Sequence, residues 1–355
     1  MTTVVKTSTA AAPSGNGADD VAVIARLREA RDRVKQEMAK VVVGQHEIID
    51  SLLISLLCRG HVLLHGVPGL GKTLMARTLS RTLDMEFRRV QFTPDLMPAD
   101  ITGTDVMEED QATGKHRVSF VPGPVFTNFL LADEINRTPP KTQAALLQAM
   151  QEQEVSVGRE TYRLKPPFFV VATQNPIEME GTYPLPEAQL DRFMFNLKVK
   201  YPTVDEEVLI IKGTTSTLAA HADKVLGAEE VLRLQELVRG VPIADSVVRY
   251  TARLVAATRP DGVQSTGTSA TGLAAIHKYL AYGASPRASQ YLVLGAKGRA
   301  ILSGKYHVDF ADIQAMAAPV LRHRLVLNFH ARADNLDADA LVERLLKVVS
   351  VEERL

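Results

Sequence analysis

Gly66-x-x-x-x-Gly71-Lys72-Thr73 has the residue types and spacing that polyphosphate binding requires. Glycines let successive backbone N–H groups turn inward toward phosphate oxygens, and a helix starting there adds its dipole. Lys72 is placed to reach the β- and γ-phosphates and Thr73 to offer its hydroxyl to Mg²⁺. Val67, Pro68, Gly69 and Leu70 fill the loop, and Leu74 continues the first helical turn. A glycine-rich turn that binds nothing would match the same letters. What separates the two is context, namely a strand before the loop and a helix after it.

The loop by itself does not choose between kinase, GTPase and ATPase chemistry. Phe129-Leu-Leu-Ala-Asp133-Glu134 reads as an apolar strand delivering two carboxylates at its end, where ligands of parallel sheets bind. Asp133 suits Mg²⁺, through water, and Glu134 suits the polarisation of a water for in-line attack on the γ-phosphate. A kinase needs no water-activating glutamate here, and the guanine-reading Asn-Lys-x-Asp pattern is absent from the chain. ATP hydrolysis is therefore favoured. Asn175 closes another apolar run at Thr173-Gln174-Asn175 and is a candidate to hold the attacking water or the γ-phosphate, or else a turn residue before Pro176. Arg192, in Leu190-Asp-Arg-Phe193, is not assignable by spacing.

These residues need a scaffold. Val62–Leu64, Phe87–Phe92, Val125–Ala132, Phe168–Ala172 and Phe195–Val199 read as strands, and Thr73–Leu83 and Thr142–Glu152 as helices between them. The alternation predicts an α/β fold with a parallel sheet covered on both faces. Val21–Lys40 and Glu47–Leu57 read as helices leading in. Residues 93–124 form a long irregular stretch, with Val118, Phe120 and Val121 as hairpin strands, and 154–164 suggests another hairpin. After Tyr201 the pattern turns helical, over 205–212, 228–238, 245–257, 271–282, 286–302 and 309–321. Asp245 and Asp309 are expected N-caps, and Gly283 and Gly304 expected stops. The organisation expected is a tail at 1–20, a nucleotide-binding core at 21–201 and a helical lid at 202–355.

The 355-residue length suits two such units. Lys+Arg and Asp+Glu are both 41, and this balance gives no indication of a nucleic-acid partner. Cys58, the only cysteine, sits in an apolar run as core filler and excludes an internal disulfide. That agrees with a reducing cytoplasmic location. No apolar run reaches membrane-spanning length, so no direct membrane insertion is expected. The set lacks a Gly-x-Ser-x-Gly elbow, a His-Glu-x-x-His motif and a Cys/His cluster. His323 and His330 flank Arg324 and read as polar cover at a helix end.

The runs Asp133-Glu-Ile-Asn-Arg-Thr-Pro-Pro-Lys-Thr-Gln143, Ala172-Thr-Gln-Asn-Pro176 and Glu180-Gly-Thr-Tyr-Pro-Leu-Pro-Glu-Ala-Gln-Leu-Asp-Arg-Phe193 resemble the MoxR family of AAA+ ATPases. Ser285-Pro-Arg-Ala-Ser289 and Ala318-Pro-Val-Leu-Arg-His-Arg-Leu325 extend the resemblance into the helical part. It implies a P-loop AAA+ core with an all-helical lid, ATP and Mg²⁺ as ligands, and a ring, usually a hexamer. It also implies action on client proteins as a remodelling or maturation factor, often beside a von Willebrand factor A-domain partner. By matching position, Lys72 and Thr73 fall in Walker A, Asp133 and Glu134 in Walker B, and Asn175 at the first sensor. Arg192 falls at the arginine finger and Arg287 at the second sensor. Val43 and Gly44 fall in the segment lining the adenine pocket. The 93–124 insert and the 154–164 hairpin face the ring pore in relatives. Two other readings stay open, a nucleotide-gated binding module with little turnover and a DNA-remodelling motor.

Overall fold

The computed structural model describes residues 17–109, 116–177, 181–215, 220–260 and 270–351. The expected tail at 1–20 lies mostly outside them, and its last four positions already belong to the first helix. In chain order the elements of the first part are α1 (Gly17–Ala39), α2 (His46–Leu57), β1 (Val62–His65), α3 (Lys72–Thr82), β2 (Phe87–Gln91), α4 (Pro98–Thr102), β3 (Gly103–Glu109) and β4 (His116–Pro122). There follow β5 (Phe129–Asp133), α5 (Pro140–Glu152), β6 (Glu154–Val157), β7 (Glu160–Arg163), β8 (Phe169–Gln174), α6 (Glu187–Leu190) and β9 (Phe195–Lys198). The second part holds α7 (Val204–Thr214), α8 (Ala228–Gly240), α9 (Asp245–Ala256), α10 (Ala270–His277), β10 (Leu280–Tyr282), α11 (Pro286–Leu302), α12 (Phe310–Leu321), β11 (Val326–Leu327), α13 (Phe329–Ala333) and α14 (Ala338–Val348).

Five strands form one sheet in the order β2-β5-β8-β1-β9, and every pairing in it is parallel. Their side chains alternate between two apolar layers. Leu64, Leu131 and Val171 face the layer containing Leu52 of α2 and Met75 and Leu79 of α3. Leu63, Leu130 and Val170 face the layer containing Leu146, Leu147 and Met150 of α5. Burial on both faces is why these strands are continuously apolar, and each fully buried Val, Leu or Phe contributes about 1.5–3 kcal/mol.

The third apolar run, expected as a strand from Val125, becomes one only at Phe129, as β5. Thr127 donates through Oγ1 to the Glu86 carbonyl at 2.7 Å and Asn128 through Nδ2 to that of Pro167 at 3.0 Å. The backbone before them is turned, with Phe126 N–H on the Gly123 carbonyl at 3.1 Å and Thr127 N–H on that of Val125 at 2.9 Å, and bonding to β8 begins only where the Asn128 carbonyl accepts from Phe169 N–H at 2.8 Å. The stretch expected to be irregular folds as α4 and the antiparallel pair β3–β4. Residues 110–115, which join those strands, lie outside the described set. The 154–164 hairpin forms as β6–β7. Phe120 of β4 stacks on Tyr162 of β7 with ring centroids 4.0 Å apart, so the two hairpins brace one another.

The second part is helical, with one exception to the sequence pattern. The helix expected over 271–282 ends at His277, and Leu280–Tyr282 pairs with Val326–Leu327 as a small antiparallel ribbon. A Cβ on Gly283 would stand 2.3 Å from the Thr258 carbonyl oxygen, so this glycine serves a close approach and not a helix stop. Asp309 caps α12 as expected, accepting from the Asp312 N–H at 2.9 Å. Asp245 does not cap α9, because Ala244 holds that position and Asp245 is the first helical residue. Two further helices, α13 and α14, follow, and α14 shows helical spacing in Leu341, Val342 and Leu345 behind an Asp337 N-cap that the sequence reading missed.

One apolar layer runs without a break from the sheet into the second part, taking in α8, α9, α11, α12 and α14. Helix α11 presses closest. A Cβ on Gly298 would lie 2.9 Å from Cys58 Sγ, and one on Gly295 3.2 Å from the Phe195 ring. Cys58 is buried here, its thiol pushed up by burial to about 12, and acts as the core filler expected. Among the described residues no helix is long and apolar enough to cross a membrane.

Candidate active site

The loop after β1 has the expected strand-to-helix setting. Gly69 and Gly71 adopt positive φ of 84° and 73°, and nothing lies within 4 Å of a Cβ built on either. The loop therefore opens onto free space, and its helix starts at once at Lys72. Gly66 is different, since a Cβ there would stand 3.0 Å from Val199 Cβ, which makes it a packing glycine. Lys72 is nearly buried and donates from Nζ to the Gly66 carbonyl across the loop. Burial lowers its pKa, partly offset by the charges of Asp133 and Glu134, so the three side chains share one electrostatic neighbourhood. Thr73 is partly exposed and Leu74 exposed in the first turn of α3.

Asp133 and Glu134 end β5, one strand removed from β1. Thr173 of β8, between them, orders both. Its hydroxyl donates to Asp133 Oδ1 at 2.6 Å and accepts from the Glu134 N–H at 2.8 Å. Glu134 itself has a φ of 58°, a left-handed conformation that costs a non-glycine residue about 1–2 kcal/mol. That backbone turns the chain off the strand, and the bond to Thr173 holds it there. The Glu134 carboxylate accepts from Gln91 Nε2 at 2.8 Å and pairs with Arg137 Nε at 3.2 Å. The other oxygen of Asp133, Oδ2, accepts from Arg89 Nε at 3.0 Å and Nη2 at 2.6 Å. Thr173, Gln91 and Arg89 were not found by sequence reasoning. Thr173 stood within a quoted run, but its role depends on the pairing of β5 with β8.

Asn175 follows β8, buried, with Oδ1 accepting from the Ile177 N–H at 3.1 Å. Its Nδ2 is buried without a hydrogen-bond partner. A buried amide donor left unpaired is costly, and a phosphate or water oxygen would satisfy it. With the open loop, this unpaired donor makes the residues present fit a nucleotide triphosphate carrying Mg²⁺.

The two arginines fall in a second cluster. Asp191 Oδ2 accepts from Ser285 Oγ at 3.1 Å and pairs with Arg287 Nη1 at 3.5 Å. Asp191 Oδ1 accepts from Arg324 Nε at 2.7 Å, while Arg324 Nη2 donates to the Asp191 and Phe193 carbonyls. Arg192 is thus carried on a loop fastened to the helical part, and Tyr291 donates to its carbonyl at 3.3 Å. Among the described residues its guanidinium has no hydrogen bond or ion pair. The structure brings Arg287 to Asp191, next to Arg192 in the chain, without pairing Arg192 itself. It does not bond either to the phosphate loop among the described residues. His323 is buried and donates from Nε2 to the Phe193 carbonyl, consistent with polar cover. Gly44, at a φ of 69°, leaves room for Glu206 of α7, whose carboxylate a Cβ would meet at 2.3 Å. The segment holding Val43 and Gly44 therefore abuts the first helix of the second part.

Residues 61–195 match the ATPase family associated with various cellular activities (AAA), and residues 273–345 match an AAA lid domain. The chain is 42% identical over 343 residues to Chaperone MoxR1 of Mycobacterium tuberculosis, covering 96% of this chain and 86% of that protein. It belongs to the MoxR family of AAA+ ATPases. Protein MoxR of Paracoccus denitrificans is 35% identical, with 86% of this chain and 89% of that one covered. A crystal structure of a candidate ATPase from Cytophaga hutchinsonii superposes with a TM-score of 0.84 at 41% identity, covering 94% of this chain and 98% of that one. The MoxR assignment agrees with the parallel five-stranded core and the helical lid.

Proposed function

We propose that this MoxR-family chain is an ATP-hydrolysing ring motor that remodels or matures partner proteins. The observation that carries the reading is the Thr173 bridge, which fixes Asp133 and the left-handed Glu134 together beside Lys72. Glu134 is the base that draws a proton from the attacking water, Lys72 offsets charge on the γ-phosphate, and Asn175 Nδ2 holds the water or a phosphate oxygen. Mg²⁺, held through Thr73 and Asp133, would supply charge neutralisation on the β- and γ-oxygens. The loop from Gly66 to Leu74 cradles the phosphates, and Val43 and Gly44 line the adenine side.

Assembly has two supports. Helix α7 buries none of its residues, although Val204, Val208, Leu209 and Ile211 are exposed along it. The unpaired Arg192 suits a γ-phosphate held by the next subunit, with Arg287 reading the same chain's nucleotide. A hexameric ring acting on a client, such as a von Willebrand factor A-domain protein, in the cytoplasm is the family-level form of this reading. The test is Glu134→Gln, which should bind ATP as the parent does while phosphate release falls by at least about a hundredfold. Equal phosphate release by both proteins would sink the assignment.

A nucleotide-gated module with little turnover has one specific observation in its favour. Asp133 and Glu134 both accept hydrogen bonds from side chains of β2, Arg89 and Gln91.

A further inference from the structure

Two exposed apolar surfaces of this chain are fastened to different halves of the candidate site. The first is a stripe on α7, where Val204, Val208 and Ile211 are exposed at i, i+4 and i+7 spacing. Glu206 lies on the opposite face and meets Gly44, so the stripe turns away from that contact. This helix belongs to the phosphate-loop side. Val199, just after β9, packs against Gly66, and the next carbonyl, that of Lys200, accepts from Gln45 Nε2 at 2.9 Å. The second surface is aromatic and belongs to the arginine side. Tyr282 in β10 is 70% exposed and Phe329 at the start of α13 is 78% exposed. Both strands of the ribbon lead from the Asp191 clamp. Strand β10 runs into Ser285, which donates to Asp191 Oδ2, and β11 starts two residues after Arg324, which donates to Oδ1. The surfaces also differ in charge, since Asp205, Glu206 and Glu207 fill the first turn of α7, whereas His330 and Arg332 stand exposed beside Phe329.

We propose that these surfaces are the two halves of one contact between copies of the chain, the Tyr282–Phe329 edge of one copy seating on the α7 stripe of the next and carrying Arg192 to that copy's phosphate loop. The inference rests on the reading of this protein as a ring. Packing α7 on α7 would bring two sets of acids together, and ribbon on ribbon two sets of cations, whereas the unlike pairing matches acid to base. Aromatic side chains are the usual anchors of such contacts. A contact between unlike surfaces is head-to-tail, so it repeats from copy to copy and closes into a ring instead of stopping at a dimer. It also completes a site, because the ribbon shares the Asp191 clamp with the loop bearing Arg192, and α7 shares the flank of the phosphate loop. Assembly and the approach of the arginine then depend on the same two surfaces.

Light scattering in ATPγS, a slowly hydrolysed ATP analogue, and phosphate release from ATP test the contact on the full-length chain. Val208→Asp and Phe329→Asp each spoil one surface. Either should leave the chain monomeric at micromolar concentration, with phosphate release at least about a hundredfold below the parent. Mixed in equal amounts they should form a dimer and no ring, since the intact ribbon of the first variant meets the intact helix of the second. Phosphate release should then recover at least about tenfold. Adding Arg192→Ala to the Val208→Asp chain should abolish the recovery, and adding it to the Phe329→Asp chain should not. If a single variant does not fold, Val204→Asp or Tyr282→Asp decides in its place. A mixture that stays monomeric, or a mixed dimer without recovered phosphate release, overturns the inference. Lost ADP affinity in Val208→Asp with assembly retained also overturns it, and assigns the stripe to the nucleotide of its own chain. A parent that stays monomeric with ATPγS bound overturns the ring reading and this inference together, whereas equal assembly of parent and single variants overturns this inference alone.

Discussion

Arg324 of the helical part lies 2.7 Å from Asp191 of the core, with the arginine almost fully enclosed and bonded to the carbonyls on both sides of Arg192. Burial pulls the Arg324 pKa down and Asp191 pulls it back, so the pair holds charge together in a setting where neither would be stable alone.

Removing one member should therefore be costly. Arg324→Ala is expected to lose about 3–5 kcal/mol in urea unfolding, because Asp191 keeps its charge without its closest partner. Arg324→Lys should recover little of that, since one ammonium cannot reach the Asp191 carboxylate and the carbonyls of Asp191, Phe193, Met194 and Val320 at once. A loss under about 1 kcal/mol for Arg324→Ala would show that the pair is not a structural clamp.

Thr173→Val preserves shape and removes the hydroxyl that serves both Asp133 and Glu134. Stability should fall by about 1–3 kcal/mol, the cost of leaving buried polar groups unpaired. Phosphate release should fall far more than ATP binding, because the bridge orders the acids and not the phosphate loop. Thr173→Ser should restore turnover, and failure of that rescue would remove the hydroxyl from the argument.

Much of this site was legible before any fold was known. The phosphate loop, Asp133–Glu134 and Asn175 all lie where an apolar run gives way to polar residues, and a strand end is visible in sequence. Thr173, Arg89 and Gln91 were hidden because their partners sit on adjacent strands, and register is set by pairing that no local pattern encodes. The register Gln91 opposite Asp133 is what brings β2 to the acids. The 280–282 ribbon escaped for a related reason, since its apolar residues prolong a helical rhythm and only its partner strand at 326–327 overrides it.

Arg192→Ala should bind ATP as the parent does, since among the described residues its guanidinium makes no hydrogen bond or ion pair. In mixed rings its effect should exceed its share, because each altered subunit disables a neighbour's site. Turnover of doped samples plotted against mutant fraction checks this. A straight line would place the arginine's action within its own chain.

Acid should weaken the fold through His61. The ring accepts from the Val170 N–H at 3.0 Å and donates to the Met150 carbonyl at 3.1 Å, an arrangement open only to the neutral form. Burial lowers its pKa from 6.5 to about 4. Between those values the unfolded chain binds a proton that the folded chain refuses, so stability falls as pH drops through that window and levels off beneath it. The ring accounts for about 3 kcal/mol of that loss. His323 shifts in the same direction through burial. Urea midpoints at pH 7 and pH 5 check the effect, and His61→Gln should flatten the difference.

The glycines of α11 have a mechanical consequence. Gly295 and Gly298 let that helix lie against Phe195 and Cys58 with no intervening side chains to slide or compress. A close-packed seam of that kind transmits displacement and does not absorb it. The sheet and the bulk of the lid would then travel as one stiff lever, so a small shift at the phosphate loop would arrive at the far end of α14 as a swing of the whole body.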